Sequence, residues 1–352
     1  MPRVSRPPPA TSEAPRRYAE PDRVAVVLNG QAKQVTDQVV HTLEQVVHGG
    51  DLFVSRSLRE GREIARTIVQ RAYPTVLTGG GDGTFVQMVS FILKEAESTG
   101  ALPPRFGVLK LGTGNALAGT LGAPVLRGHG LVADLGLLRR KTTSRELRLL
   151  QVEGVYCPFA GIGADAVTLD NFNSTKRLLR STPLLKCVSA GAFTYAVAIL
   201  GRSVPQFVVR KPLKVTIVNQ GSEAFRVGRY GQPERVGIPA GGTIYEGPAH
   251  MAVFGTIPYW GFGAKVFPYA ELLSDRFSLR VLHFGSLGVA LHARALWNGT
   301  YRGPGVDDFL VQRLTLHCDP PTPAEVGGDV IGVREDLRAS LANKPIQVVE
   351  YD

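Results

Sequence analysis

This chain has little of what builds metal centres, disulfide frameworks and membrane spans. Its 352 residues include three cysteines, Cys157, Cys187 and Cys318. Odd in number and far apart, they make neither a CxxC metal knuckle nor a disulfide framework, which fits a reducing compartment. The 7 histidines show no HxxxH or HxxEH spacing, so a histidine-held zinc is not expected. No uninterrupted apolar run reaches the roughly 18 residues of a membrane-spanning helix. Residues 1–22 lack the n-region, h-region and cleavage site of a secretory signal; rich in Pro and Arg, they read as a disordered tail. No GxSxG elbow and no GxxxxGK[ST] loop occur, which removes a hydrolase nucleophile and a Walker ATPase. Acidic residues are scarce too: 30 Asp+Glu face 40 Lys+Arg, a net charge of +10. Such an excess suits an anionic partner. No helix-turn-helix, zinc or RNA-binding signature accompanies it, so nucleic acid is not the expected one.

Glycine, by contrast, is abundant, and its placement carries the reading. From residue 23 to about 145, short apolar runs alternate with amphipathic stretches. Residues 24–28, 52–54, 75–77 and 106–109 read as strands, and 36–48, 58–71 and 84–98 as helices. Strands separated by helices of 10–15 residues imply βαβ units, so 23–145 is predicted to be an α/β domain with a mostly parallel sheet. Beyond it the runs at 147–152, 155–159, 206–210, 213–218, 277–284 and 310–316 are short, β-branched or aromatic, and bounded by Gly and Pro. They predict an antiparallel β-sandwich domain over 146–352, interrupted by a helical segment near 172–200. The turn-rich stretch 219–248 reads as long hairpins or loops.

Two glycine turns stand out. The first is Thr78-Gly79-Gly80-Gly81-Asp82-Gly83-Thr84, at the end of a predicted strand and the start of a helix. Glycine tolerates positive φ and lets a ligand approach the backbone. A turn from strand into helix aims N–H groups and the positive end of the helix dipole at one point, an arrangement that binds phosphate. Asp82 is the carboxylate inside the loop, where it could hold Mg²⁺ or accept a proton. Thr84 and Gln87 also fit a helix-capping box, a purely structural role. The second turn, Leu111-Gly112-Thr113-Gly114-Asn115-Ala116, again leads from strand to helix. Thr113 and Asn115 could offer a hydroxyl and an amide to a nucleotide, or cap the helix that follows. In a parallel sheet ligands bind at the carboxyl ends of the strands, so the two turns should converge on one crevice.

Together, GGGDGT and LGTGNALA resemble the catalytic domain shared by diacylglycerol kinases, sphingosine kinases and bacterial lipid kinases. Phe159–Gly163 with Asp165, the stretch Pro268-Tyr269-Ala270 with Asp275, and Glu325 to Asp329 extend the likeness. The resemblance implies a nucleotide domain of the NAD-kinase/diacylglycerol-kinase type followed by a β-sandwich, with ATP and Mg²⁺ as cofactors. It also implies roles: Asn29, Gly80, Gly81, Asp82, Gly83, Thr84, Gly112, Thr113, Gly114 and Asn115 around the nucleotide, Asp82 and Asp329 at the chemistry, and Asp165 near the acceptor. For Asp165 a turn or cap role is equally open. Three positions depart from the family pattern. Gly327 replaces the Asp of its Asp-Gly-Glu motif, Asp329 is one methylene shorter than Glu, and Gln87 replaces a Glu.

The expectation is an ATP-dependent lipid kinase whose acceptor is diacylglycerol or a sphingoid-like base. The alternatives are an NAD kinase and a nucleotide- and lipid-binding relative that has lost turnover. The charge adds a location. Residues 171–215 carry eight Lys and Arg and no Asp or Glu around the apolar stretch 181–200. That pattern suits a cytoplasmic protein docking peripherally on anionic membrane. A homodimer is left open.

Overall fold

The computed structural model describes residues 23–32, 34–47, 51–111, 116–121, 143–163, 212–260, 263–284 and 286–350. Its first part alternates as the periodicity predicts: β1 (Val24–Asn29), α1 (Asp37–Val46), β2 (Leu52–Ser55), α2 (Leu58–Gln70), β3 (Thr75–Gly80), α3 (Asp82–Thr99), β4 (Arg105–Lys110) and α4 (Ala116–Thr120). The first two helices start on hydroxyls: Thr36 accepts from the Val39 amide and Ser57 from the Glu60 amide. Each satisfies a donor that the helix itself leaves orphaned.

β1 lies between β2 and β3, and β3 pairs with β4, all parallel. The two-residue period of β1 sends Val24, Val26 and Leu28 into a core with Leu43 of α1. Ala25 and Val27 go to the opposite core, with Ile68 of α2 and with Phe85 and Val89 of α3. Helices on both faces explain why β1 is continuously apolar from Val24 to Leu28.

The sheet is completed by β5 (Ser144–Leu147) and by the last strand, β18 (Ile346–Val349), in the order β2-β1-β3-β4-β18-β5. β18 runs parallel to β4 and antiparallel to β5. The change of sequence character near 145 therefore does not divide the two sheets, because the C-terminal strand crosses back into the first.

The remaining strands form one large antiparallel sheet. They are β6 (Leu150–Val152), β7 (Val155–Cys157), β8 (Phe159–Gly163), β9 (Leu213–Asn219), β10 (Ala224–Val227), β11 (Pro233–Ile238), β12 (Thr243–Ala249), β13 (Met251–Gly255), β14 (Phe277–Leu282), β15 (Val306–Val311), β16 (Arg313–Val326) and β17 (Asp329–Leu341). β16 organises it. Its first half pairs with β9 and its last residues with β8, while β17 follows along its other edge. Register shifts after His317 and after Pro323 let the strand turn from one partner to the other. Across β14 and β15, Arg280 donates two bonds to Asp308, at 2.7 and 2.9 Å, with side chains 2% and 9% exposed.

The turn-rich stretch 219–248 holds β10, β11 and most of β12, so of the hairpins or loops expected there it forms paired hairpin strands. A helix the periodicity did not suggest, α5 (Ser286–Trp297), connects β14 to β15. The helical segment expected near 172–200 lies outside the described residues. No described helix is long and apolar enough to cross a membrane.

α3 joins the two parts. One side packs on the parallel sheet and the other meets β7, where the Ser90 hydroxyl donates to the Tyr156 carbonyl and accepts from its amide, at 3.2 and 2.9 Å. Its N-terminus is thereby positioned by both parts at once.

Candidate functional site

The first glycine turn is tighter than its composition suggests. β3 continues through Gly79 and Gly80, and α3 begins at Asp82, so Gly81 alone makes the corner, in an extended conformation (φ −94°, ψ −175°). None of these glycines takes a positive φ. They are required for close approach instead. A Cβ on Gly79 would come within 2.5 Å of Leu28 Cδ2, and one on Gly80 within 2.4 Å of Thr84 Oγ1. Gly81 offers no side-chain cap, so the capping box expected from Thr84 and Gln87 does not form. Thr84 lies one turn inside the helix, where its hydroxyl accepts from Asn29 Nδ2 at 3.0 Å. The Asn29 Oδ1 accepts from the Gln31 amide. Asn29, at the end of β1, is thus tied to the turn that follows β3, as their adjacency in the sheet allows. Among the described residues, the amides of Asp82 and Gly83 have no acceptor. They are two orphaned donors at the positive end of an 18-residue helix.

Asp82 does not point its carboxylate into open space. Its oxygens accept from the amides of Ala116 and Leu117, at 2.7 and 3.1 Å. These are the first amides of α4, the helix opened by the second glycine turn. The Asp of one motif therefore caps the helix of the other and holds the carboxyl ends of β3 and β4 together. Burial raises the Asp82 pKa above its ordinary value, while the two amide bonds act in the opposite direction. Each oxygen takes one of these bonds and keeps a further acceptor site. The described residues contain no group of three or more His, Cys, Asp or Glu that could form a dedicated metal centre. Gly112, Thr113, Gly114 and Asn115 lie outside the described residues, as does Asp165.

The second carboxylate arrives from the other end of the chain. Val326 pairs with Asp329 across a two-residue turn, with Gly327 at φ +59° and Gly328 at φ +92°. Two consecutive positive φ values define the tight hairpin turn that suits twisted strands, and glycine makes it without strain. This tip presses onto the first turns of α3. A Cβ on Gly327 would come within 2.5 Å of Val86 Cγ2. One on Gly83 would lie 2.8 Å from Asp329 Oδ2. Gln87 Nε2 donates to that same oxygen at 3.3 Å. Asp329 is exposed on its outer side, yet the protein around its carboxyl raises its pKa, with the Gln87 bond pulling the other way. Four residues before Asp329, the buried Glu325 accepts from Trp260 Nε1 at 3.1 Å and stays within the sheet.

The structure thus brings Asn29, Gly80, Gly81, Asp82, Gly83, Thr84 and Asp329 to one end of α3. It adds contacts that the sequence alone did not show: the α4 amides on Asp82 and the Gln87 bond to Asp329. One signal was present. Glycine in the first turn of a helix costs up to about 1 kcal/mol relative to alanine, so Gly83 implied a neighbour too close for a Cβ.

In the α/β part, the two glycine motifs follow adjacent parallel strands in sequence, at the end of the sheet where open α/β folds bind ligands. Residues 23–149 match the family described as the diacylglycerol kinase catalytic domain. That match spans the α/β part of the chain. The YegS-like "probable lipid kinase" of Chromohalobacter salexigens is 31% identical over 101 residues, 28% of this chain and 32% of that protein. The chain therefore aligns with about a third of that curated relative's length. A diacylglycerol kinase structure from Bacillus anthracis str. Sterne aligns over 94% of this chain and 97% of its own, at 13% identity and a TM-score of 0.57. A second structure from the same organism gives the same coverage, 14% identity and a TM-score of 0.62. At such identities the likeness establishes the fold, which extends through the antiparallel part.

Proposed function

We propose that this protein transfers the γ-phosphoryl group of ATP to the hydroxyl of a membrane lipid, diacylglycerol or a sphingoid-like base, between the glycine turns and the β16–β17 tip. The observation that carries this reading is the meeting of Asp329 with the first turn of α3, which puts a carboxylate beside unsatisfied helix amides. The amides of Asp82 and Gly83 would receive phosphate oxygens, aided by the helix dipole. Asn29 and Thr84 fix the wall of that cradle. Asp82 aligns the second motif by capping α4. Asp329 takes the proton of the lipid hydroxyl as its oxygen attacks phosphorus; the P–O bond to ADP breaks and ADP departs. Its raised pKa makes it a better proton acceptor than an ordinary aspartate. Mg²⁺ accompanies ATP as its phosphate complex and offsets the charge on the transferred group.

The lipid acceptor places the protein at a membrane surface in the cytoplasm. The eight basic residues within 171–215, free of acidic neighbours in sequence, support docking on anionic lipid.

Purified protein with labelled ATP and Mg²⁺, offered diacylglycerol, sphingosine, ceramide and monoacylglycerol in mixed micelles and NAD in a parallel tube, tests the reading. Label on diacylglycerol or sphingosine is expected. Label on NAD alone refutes lipid transfer, and ATP binding with no labelled product anywhere identifies a non-catalytic relative. Liposome binding should weaken with salt and with loss of anionic lipid.

A further inference from the structure

The three departures from the family pattern, Gln87, Gly327 and Asp329, form one contact cluster in the fold. Gly327 and Gly328 make the turn that carries Asp329, and the absence of a side chain at 327 lets the tip seat against Val86. Gly83 removes the one Cβ that would obstruct the carboxylate, at 2.8 Å from Oδ2. Gln87, one turn further along α3, then donates to that oxygen. A glutamate in place of Gln87 would offer no donor when ionised and would set a second negative charge against Asp329. Glutamine supplies an N–H without charge. The only other carboxylate named at this end of α3, Asp82, is turned to the α4 amides.

We propose that Gln87 is a positioning residue for Asp329: its side-chain amide fixes the rotamer of the carboxylate that the hairpin tip delivers to the first turn of α3. The inference rests on the reading of Asp329 as proton acceptor, and the three departures then act together to keep a short carboxylate in place. An exposed aspartate at the end of a hairpin has several rotamers open to it, and a single donor from a rigid, buried helix selects one. Positional errors of about 1 Å in such a group cost up to roughly a hundredfold in rate.

The test uses the full chain with Q87M, Q87E and D329N, and has two readouts. The first needs no turnover. The Asp329 carboxyl titration is followed by carbon NMR, with its signal assigned by its loss in D329N. Q87M, which keeps the shape and removes the donor, should move the midpoint upward, and Q87E should move it further. A midpoint that stays put in both variants overturns the role of Gln87. The second readout is phosphoryl transfer from ATP to diacylglycerol in micelles. D329N should lose roughly a hundredfold or more in kcat, the lower end of what a positioned base supplies. Q87M should lose about tenfold in kcat, with KM for ATP unchanged and the acid limb of the pH profile displaced like the titration. A D329N variant with wild-type kcat refutes the base assignment itself. D329N inactive alongside Q87M identical to wild type in kcat and pH profile removes Gln87 alone.

Discussion

The Asp82 carboxylate makes the most direct claim on experiment, because its geometry adds a structural role to the chemical ones that the sequence suggested. As a proton acceptor it would act on substrate; as a cap it acts on α4. Asp82→Ala deletes the acceptor for the Ala116 and Leu117 amides at 2.7 and 3.1 Å. Loss of a cap costs about 1 kcal/mol, and bonds to an ionised group about 1.5–3 kcal/mol each. Against this stands relief of the burial that raises the Asp82 pKa. A net local loss of about 2 kcal/mol follows, which corresponds to roughly thirtyfold faster opening of the α4 start, since about 1.4 kcal/mol is tenfold.

Hydrogen exchange resolved to single amides measures this directly. In Asp82→Ala, Ala116 and Leu117 should exchange roughly thirtyfold faster, while Val89 and Ile92, deep in α3, change little. The KM for ATP should rise as well, because Gly112 to Asn115 immediately precede the released helix start. Asp82→Asn keeps one acceptor and should fall between wild type and alanine. Unchanged exchange at Ala116 and Leu117, together with lost turnover, would refute the cap and restore Asp82 to the chemistry.

Three further substitutions probe the rest of the framework. Gly83→Ala replaces a costly residue in the first turn of α3 and should leave stability equal or improved by up to about 1 kcal/mol in urea unfolding, yet it should depress turnover by displacing Asp329. Arg280→Met strands Asp308 in the β14–β15 interior and should cost about 3–5 kcal/mol, whereas Arg280→Met with Asp308→Leu should recover most of it. The folded state raises the pKa of Asp329, so native protein binds more protons than unfolded chain just above the ordinary aspartate range, and stability falls as pH rises through that window. Asp329→Asn should flatten that fall, by less than about 0.5 kcal/mol because the side chain is exposed, while reducing activity; a steeper pH dependence in the variant would refute the assignment.

Much of the α/β part was legible because its determinants are local. Val39, Val40 and Leu43 repeat at helical spacing, and β1 is apolar from Val24 to Leu28 and β3 buried throughout because helices cover both faces of their sheet. β18 was not legible as part of that sheet, since its pairing with β4 and β5 depends on where the intervening antiparallel sheet returns the chain. α5 was missed because Gly288 and the small residues around it leave no clear amphipathic period between two strand-like runs. The stretch 219–248 read as hairpins or loops because its turn residues are real, and each turn separates strands long enough to pair.

The site was legible in part, and for a reason that needs restating. Its glycines suggested conformational freedom, but Gly79, Gly80 and Gly83 have ordinary φ values and are required by what stands beside them: Leu28, Thr84 and Asp329. Among the described glycines of the site, only Gly327 and Gly328 use positive φ, and they belong to the motif that departs from the family pattern. A glycine demanded by its own φ can be inferred from the turn it makes. A glycine demanded by a neighbour can be inferred only once that neighbour is placed. Here the neighbour of Gly83 sits 246 residues away, and the donor to it, Gln87, is separated from it by 242. No periodicity reaches that far. The contact exists because α3 packs on both sheets, so its first turn brings the parallel strands and the β16–β17 tip together. The loss of a family Asp at 327 then ceases to signal decay: the same position, lacking a side chain, is what allows the tip to seat on Val86 and bring Asp329 to α3.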